Sequence, residues 1–319
     1  MIWLTWRQHR LEGLITALVV VAVAWLVASL VVAAQPLLEQ IRHACTTVVD
    51  DSCGRQLTAF DARFGAFQQP LYLAFLVLPV LSGLFIGAPL LAREFEQGTD
   101  QMVWSQGITR RRWLLVKLAV LGSATAAMAG ILAVAGQEWS TARPDNSYSQ
   151  WVSFDVQGPE FVAYALFSFA LGVALGAAIG KSVPAMAAAL VGFVVARGAI
   201  EVFARPNFLP PVESEVSGLL FSGQAWVIGN QRPADLHGNT IGMDQFDQVT
   251  NACLNPVSGV KVPGNFDLQA CWHDHGVKLL QTYQPADRFP LFQGIETAIF
   301  VIAAIALLGL AVWLVGRRA

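Results

Sequence analysis

The sequence predicts an all-α polytopic membrane protein with six transmembrane helices, both termini cytoplasmic, and a helical, disulfide-stapled extracytoplasmic cap between helices five and six. Three observations carry that prediction. Of 319 residues, 55% are hydrophobic and only 13% charged, whereas an ordinary soluble domain is roughly a quarter charged. The apolar residues fall in six blocks over Leu14–Ala34, Leu71–Leu91, Leu114–Gly136, Phe161–Ile179, Val183–Phe203 and Leu291–Val315, each near the ~20 residues that cross a bilayer. The cations, finally, are shared unevenly between the segments joining those blocks.

The first block follows Arg7 and Arg10 like a secretory leader, but its core is too long for one and five blocks come after it, so it reads as a retained span. Ten of the 20 Lys and Arg residues lie in short segments on one side: Arg7, Arg10, Arg93, Arg110, Arg111, Arg112, Lys117, Lys181, Arg317 and Arg318. The longer segments opposite carry Asp50, Asp51, Glu213, Glu215, Asp244 and Asp247. Cytoplasmic loops collect Lys and Arg, so both termini are placed inside the cell membrane. A net charge of −2 supplies no attraction to nucleic acid and excludes that role.

All four cysteines, Cys45, Cys53, Cys253 and Cys271, land in outside loops, where disulfides persist. Three pairings exist; membership of the same loop favours Cys45–Cys53 and Cys253–Cys271. The chain divides into a cytoplasmic interfacial segment (1–13), five spans (14–203) with a cytoplasmic hairpin at 92–113, an extracytoplasmic cap (204–290), and a sixth span with its tail (291–319). The interfacial segment mixes Trp3 and Trp6 with Arg7 and Arg10, which suits the headgroup plane. In the cap, Met243, Phe246, Val249 and Cys253 recur at helical spacing, as do Leu268, Cys271, His275 and Leu279. A Cys253–Cys271 bond would staple those two helices.

Gly176-Ala-Ala-Ile-Gly180-Lys181-Ser182 resembles a phosphate loop, but its glycines are one residue too close and it ends an apolar block. Gly172, Gly176 and Gly180 instead form a stripe that lets helices approach closely in lipid; Gly122, Ala126 and Gly130 form another. Cys271-Trp272-His273-Asp274-His275 reads as wet-loop polar surface and no metal is assigned. No catalytic constellation is found, and no histidine lies in a span.

The hairpin is the most specific segment. Gly98 can close the second helix, Thr99 can cap a short helix over Asp100–Gln106, Gly107 can end it, and Thr109 can cap the third span. Two glycine stops and two threonine caps describe a rigid protrusion, with Glu94 and Glu96 at one end and Arg110, Arg111 and Arg112 at the other. The segment resembles the cytoplasmic loop of permease subunits of the type-two ABC exporter family, where an acid-x-acid-x-Gly-Thr run precedes Ser/Thr-x-x-x-x-Arg and a later Lys. Here those residues are Glu94, Glu96, Gly98, Thr99, Ser105, Arg110 and Lys117. The run Tyr283–Phe289, with Gln293 and Glu296, resembles a subgroup common in high-GC Gram-positive bacteria. The long loop before the last span departs from the short re-entrant hairpin of many members.

The resemblance implies a permease without an ATP-binding motif or cofactor of its own. Its partners would be two copies of a separate ABC ATPase that holds ATP and Mg, a second permease copy or paralogue, and membrane lipid. Glu94, Glu96, Gly98, Thr99 and Arg110–Arg112 would form the ATPase-coupling interface. An amphipathic cargo (natural product, lipid or peptide) is expected, as in multidrug efflux. The competing readings are a sensor or immunity protein that binds a peptide through its cap, and an ion-driven carrier, which would show an inverted repeat.

Charges within spans are expensive, roughly 2.5–3.5 kcal/mol each on insertion scales. Arg197 lies about 14 residues into the fifth span, or about 21 Å at ~1.5 Å per residue. Glu201 is one turn further on, and Glu296 sits at similar depth in the sixth span. The sequence therefore predicts a pair of Arg197 with Glu201 or Glu296 along a gate or substrate path.

Overall fold

The computed structural model describes residues 2–45, 51–98, 109–144, 150–215, 225–254 and 268–317, with side chains from 13 and 52 onward in the first two stretches. They form two units, 1–208 with 289–319, and 209–288.

Unit 1 is helical. α1 (Ile2–Ala44) runs without a break, so the Trp- and Arg-rich start continues into the first span instead of lying apart from it. At 1.5 Å per residue its 43 residues reach roughly 64 Å, about twice the hydrocarbon thickness. The Cys45–Cys53 disulfide ties its end to α2 (Asp51–Leu81). α2 passes through a π-helical turn, Ser82–Gly87, into α3 (Ala88–Gln97). α4 (Arg110–Thr141) and a 3₁₀ helix (Gln150–Val156) follow. α5 (Pro159–Ile179), α6 (Ser182–Ala199), a second π turn (Ile200–Ala204) and a 3₁₀ turn (Arg205–Asn207) complete the run. α9 (Phe289–Arg317) closes the unit. Six of these stretches are long and apolar enough to cross a membrane.

α5 is the central element and packs on α9, α3, α4, α6 and the first π turn. Its Tyr164, Phe161 and Phe169 are fully buried. Phe75 of α2, Phe300 of α9 and Leu114 of α4 fill the spaces around it. The outward faces stay apolar, with Leu18 and Trp25 of α1, Val194 of α6 and Ile302 of α9 exposed, as lipid-facing positions require.

The glycine stripe on α5 works within the chain. A Cβ on Gly172 would lie 2.3 Å from Gly83 O, and one on Gly176 would lie 2.5 Å from Ala88 O. The first π turn answers in kind, since a Cβ on Gly87 would lie 2.4 Å from Phe169 O. Two backbones therefore touch where side chains would hold them apart. Gly180, at φ 69°, ends α5 as the C-cap. The stripe read on the third span does not form such a crossing. Nothing lies within 4 Å of a Cβ at Gly130, and the nearest atom to one at Gly122 is a Phe169 ring carbon at 3.7 Å.

Unit 2 corrects the all-α expectation. β1 (Val212–Glu215), β2 (Trp226–Val227) and β3 (Arg232–Asp235) all pair antiparallel with β4 (Val277–Gln284). Leu280 faces Glu215 of β1 on one edge and Arg232 of β3 on the other, which makes β4 the middle strand. α7 (Met243–Leu254) and α8 (Leu268–Asp274) are joined by the Cys253–Cys271 disulfide. Trp272 of α8 packs on Phe246 of α7 with ring centroids 5.0 Å apart and donates to Thr250 Oγ1 at 3.1 Å. The second amphipathic repeat thus stops early. Gly276, at φ 76°, turns the chain after Asp274, and Leu279 sits in β4.

Candidate functional site

Four charged side chains are buried in unit 1 around the Tyr164 ring: Asp155, Arg197, Arg205 and Glu296. Each comes from a different stretch. Gly158, at φ 80°, turns the chain between the 3₁₀ helix that bears Asp155 and Pro159, which starts α5. Arg197 lies in the last turn of α6, Arg205 beyond the π turn that follows, and Glu296 in α9.

The Arg205 guanidinium holds Glu296 at two points, Nε to Oε2 at 2.8 Å and Nη2 to Oε1 at 2.8 Å. Its Nη2 also donates to Asp155 Oδ1 at 2.6 Å. Arg197 Nη2 approaches the same Asp155 oxygen at 3.4 Å. The Tyr164 hydroxyl lies 2.6 Å from Glu296 Oε1 and 3.0 Å from Asp155 Oδ1, donating to one at a time, and accepts from Arg205 Nη2 at 3.3 Å. Ring faces complete the cage, with Arg197 4.9 Å from the Tyr164 centroid and Arg205 4.2 Å from that of Phe154.

Two cations against two carboxylates leave the cluster neutral, which is the condition for placing ions in an apolar interior. Beside it, Gln293 donates to the buried Glu160 and to Gln157 O, while Ser140 donates to Gln157 Oε1, so α4, α5 and α9 share one polar seam. The cluster contains acceptors and fixed cations but no nucleophile set against a base. What it can do is latch: the ends of α6 and α9 and the 3₁₀ helix part only if buried ion pairs part.

Arg197, Glu201 and Glu296 were expected to pair, and the structure arranges them otherwise. The partner of Arg197 is Asp155, Glu296 belongs to Arg205, and Glu201 is exposed. The π turn begins at Ile200, between Arg197 and Glu201, and breaks the 3.6-residue repeat on which a shared face depended. Asp155, Tyr164 and Arg205 were missed. Asp155 falls between the third and fourth apolar blocks and Arg205 just past the end of the fifth, so neither stands out as an ion within a span.

At the hairpin, Gly98 (φ 64°) is the C-cap of α3, its N–H directed at Glu94 O and Phe95 O. Thr109 caps α4 by accepting from Arg112 N at 3.4 Å. The short helix over Asp100–Gln106, its Thr99 cap and Ser105 lie outside the described residues. Both acids turn to partners in their own chain. Glu94 pairs with the buried Lys117, whose ammonium also lies 4.4 Å from the Trp113 ring centroid, and Glu96 accepts the Ser182 hydroxyl at 2.6 Å. Arg111 and Arg112 are exposed and Arg110 is half-buried.

In unit 2, His275 Nδ1 lies 3.9 Å from Cys253 Sγ and 3.7 Å from Cys271 Sγ. These are the ligand types of a metal site, but the two sulfurs are spent in the disulfide and Nδ1 donates to Cys271 O at 2.9 Å.

Apolar helices that enclose a charge-balanced latch and expose their other faces define a multi-pass membrane protein. A family model described as ABC-2 membrane transporter related matches residues 16–205, more than half of the chain, and the protein belongs to that family. Members are membrane subunits of ABC transporters, in general not catalytic themselves and associated with an ABC ATPase subunit. No curated protein and no solved structure matches the chain.

Proposed function

We propose that the protein is the permease of an ATP-driven exporter that carries an amphipathic substrate out of the cell. Two copies of a separate ATPase, which bind ATP and Mg, drive two permease chains, identical or paralogous. Both termini and the hairpin at 92–113 face the cytoplasm, and unit 2 faces outward, where its disulfide and that of Cys45–Cys53 survive. The Tyr283–Phe289 run supports placing the chain in the subgroup of high-GC Gram-positive bacteria. The observation that carries the reading is the family match over residues 16–205.

The hairpin is the element through which the ATPase acts. The Glu94–Lys117 pair and the Glu96–Ser182 bond tie the end of α3 to α4 and α6, and Arg111 and Arg112 supply exposed charge for docking. ATPase motion bends α3 against α4 and reaches the Arg205–Glu296 latch through α5, on which α3, α4 and α9 all pack. Arg197 and Glu296 hold the gate, and Glu201 lies on the path beyond it.

The test is to purify the chain with and without the ATPase encoded beside it. Co-elution, with ATPase activity that falls when Arg111 and Arg112 are both changed to Glu, is expected. A chain that never binds an ATPase overturns the reading and favours a sensor that works through unit 2.

A further inference from the structure

A cavity of about 440 Å³ opens within unit 1, away from the charge cluster, between α1, α2 with its π turn, α4, α5 and α6. Small-molecule sites span about 300–1,000 Å³. Its walls are apolar for most of their length, with Val20, Phe85, Met128, Leu132 and Phe161 among them. Thr125 also lines it, is buried, and its Oγ1 has no hydrogen-bond partner among the described residues. A buried hydroxyl without a partner is costly, so this one is offered to something that enters the cavity. Among the described lining residues charge lies at one end, where Arg93 of α3 and Ser182, the first residue of α6, meet the cavity. Glu96, the carboxylate at that end, already accepts the Ser182 hydroxyl and faces both Arg93 and Lys181. Among the described residues that end carries two cations, Arg93 and Lys181, against the one carboxylate of Glu96.

We propose that the cavity is a binding site for a bilayer lipid with an anionic head group. The chain lies along the apolar walls, an acceptor oxygen of the lipid takes the Thr125 hydroxyl, and the head group meets Arg93. The assignment stands apart from the transport reading, because such a lipid is held whether or not an ATPase turns over.

Native mass spectrometry of the full chain, extracted in mild detergent, tests it. Wild type retains an anionic phospholipid. Ala129→Trp, which fills the cavity from α4, retains none, and its elution profile and thermal unfolding show whether it folds. Thr125→Val keeps the side-chain shape and loses about threefold in retention, and Arg93→Gln loses about tenfold. Equal retention by all four proteins overturns the proposal, as does retention of zwitterionic lipid in the same amount. A wild-type chain that purifies empty, yet binds added dansyl-labelled fatty acid, also overturns it and gives the cavity to a transported amphiphile.

Discussion

Arg205 holds Glu296 through two parallel hydrogen bonds of 2.8 Å, from opposite ends of the 80-residue unit 209–288 that separates them in sequence. The pair staples the end of the fifth candidate span to the sixth, and Asp155 and Tyr164 share its charge. Removing one member leaves the other charged and buried, which costs about 3–5 kcal/mol, whereas apolar replacement of both is often near neutral. Arg205→Met and Glu296→Leu should each lower thermal stability in detergent sharply, while the double variant recovers most of it. If the pair serves as a latch, the recovered double variant still binds its ATPase but no longer transports. A double variant as unstable as its parents would show that the pair is not the coupled unit.

The glycine crossing gives a prediction with an internal control. A methyl group on Gly172 would meet Gly83 O at 2.3 Å, and backbone cannot swing aside as a side chain can. Gly172→Ala should cost about 1–3 kcal/mol, the usual range for overpacking. Gly130→Ala, with open space around it, should be neutral or slightly stabilising, because alanine favours a helix interior over glycine by about 1 kcal/mol. Unfolding in one detergent, followed by near-ultraviolet circular dichroism, compares the two.

The spans were legible because bilayer crossing demands long apolar runs, and a run survives in sequence whatever its packing. Gly98 and Thr109 were legible because a helix end leaves backbone groups that few residue types satisfy. The sheet of unit 2 was hidden by its strands. β1 is Val-Glu-Ser-Glu, β3 contains Pro233, and β2 has two residues, so neither alternation nor β propensity marks them. Pro233 is tolerated because β3 pairs with no strand but β4 among the described residues, an edge position that admits proline. The charge cluster was half visible. Arg197 and Glu296 stand out as ions in apolar runs, but π turns leave no periodic trace, and the partner Asp155 depends on how the chain folds back at Gly158.

The disulfide in unit 2 closes a loop of sequence separation 18 between two helices that also share the Phe246–Trp272 ring contact and the Trp272–Thr250 hydrogen bond. Loop-closure entropy puts such a bond at about 3 kcal/mol. Cys253→Ala with Cys271→Ala should therefore raise hydrogen exchange in α7 and α8 strongly and leave α4 and α5 unchanged. Equal loss of protection in both units would mean that they unfold together.

Unit 2 should also respond to acid. Glu215 takes the His273 ring nitrogen at 2.8 Å, with Lys278 at 3.5 Å, and the His273 hydrogen bond above all holds its carboxyl below the ordinary 4.5. A depressed carboxyl contributes stability that is fully present above 4.5 and is lost as pH falls through its folded value. Exchange protection of β1 and β4 should hold at neutral pH and decline below about 4.5, and Glu215→Gln should flatten that decline. An unchanged profile would place the acid sensitivity elsewhere in the unit.

Glu94 and Lys117 offer the cleanest separation of posture from docking. The ammonium is buried on the Trp113 ring, and the carboxylate reaches it from one turn before the Gly98 stop. If Glu94 touched the ATPase directly, Glu94→Lys would abolish coupling and nothing within the permease could restore it. If it sets the angle of α3 on α4, as the bridge indicates, Glu94→Lys and Lys117→Glu each uncouple, and the double variant regains the pair with its sign reversed. Recovery of ATPase stimulation in the double variant, to within a few fold of wild type, is the expected result of that double-mutant cycle. Additive losses would move Glu94 from posture to docking and leave Lys117 as a structural cation.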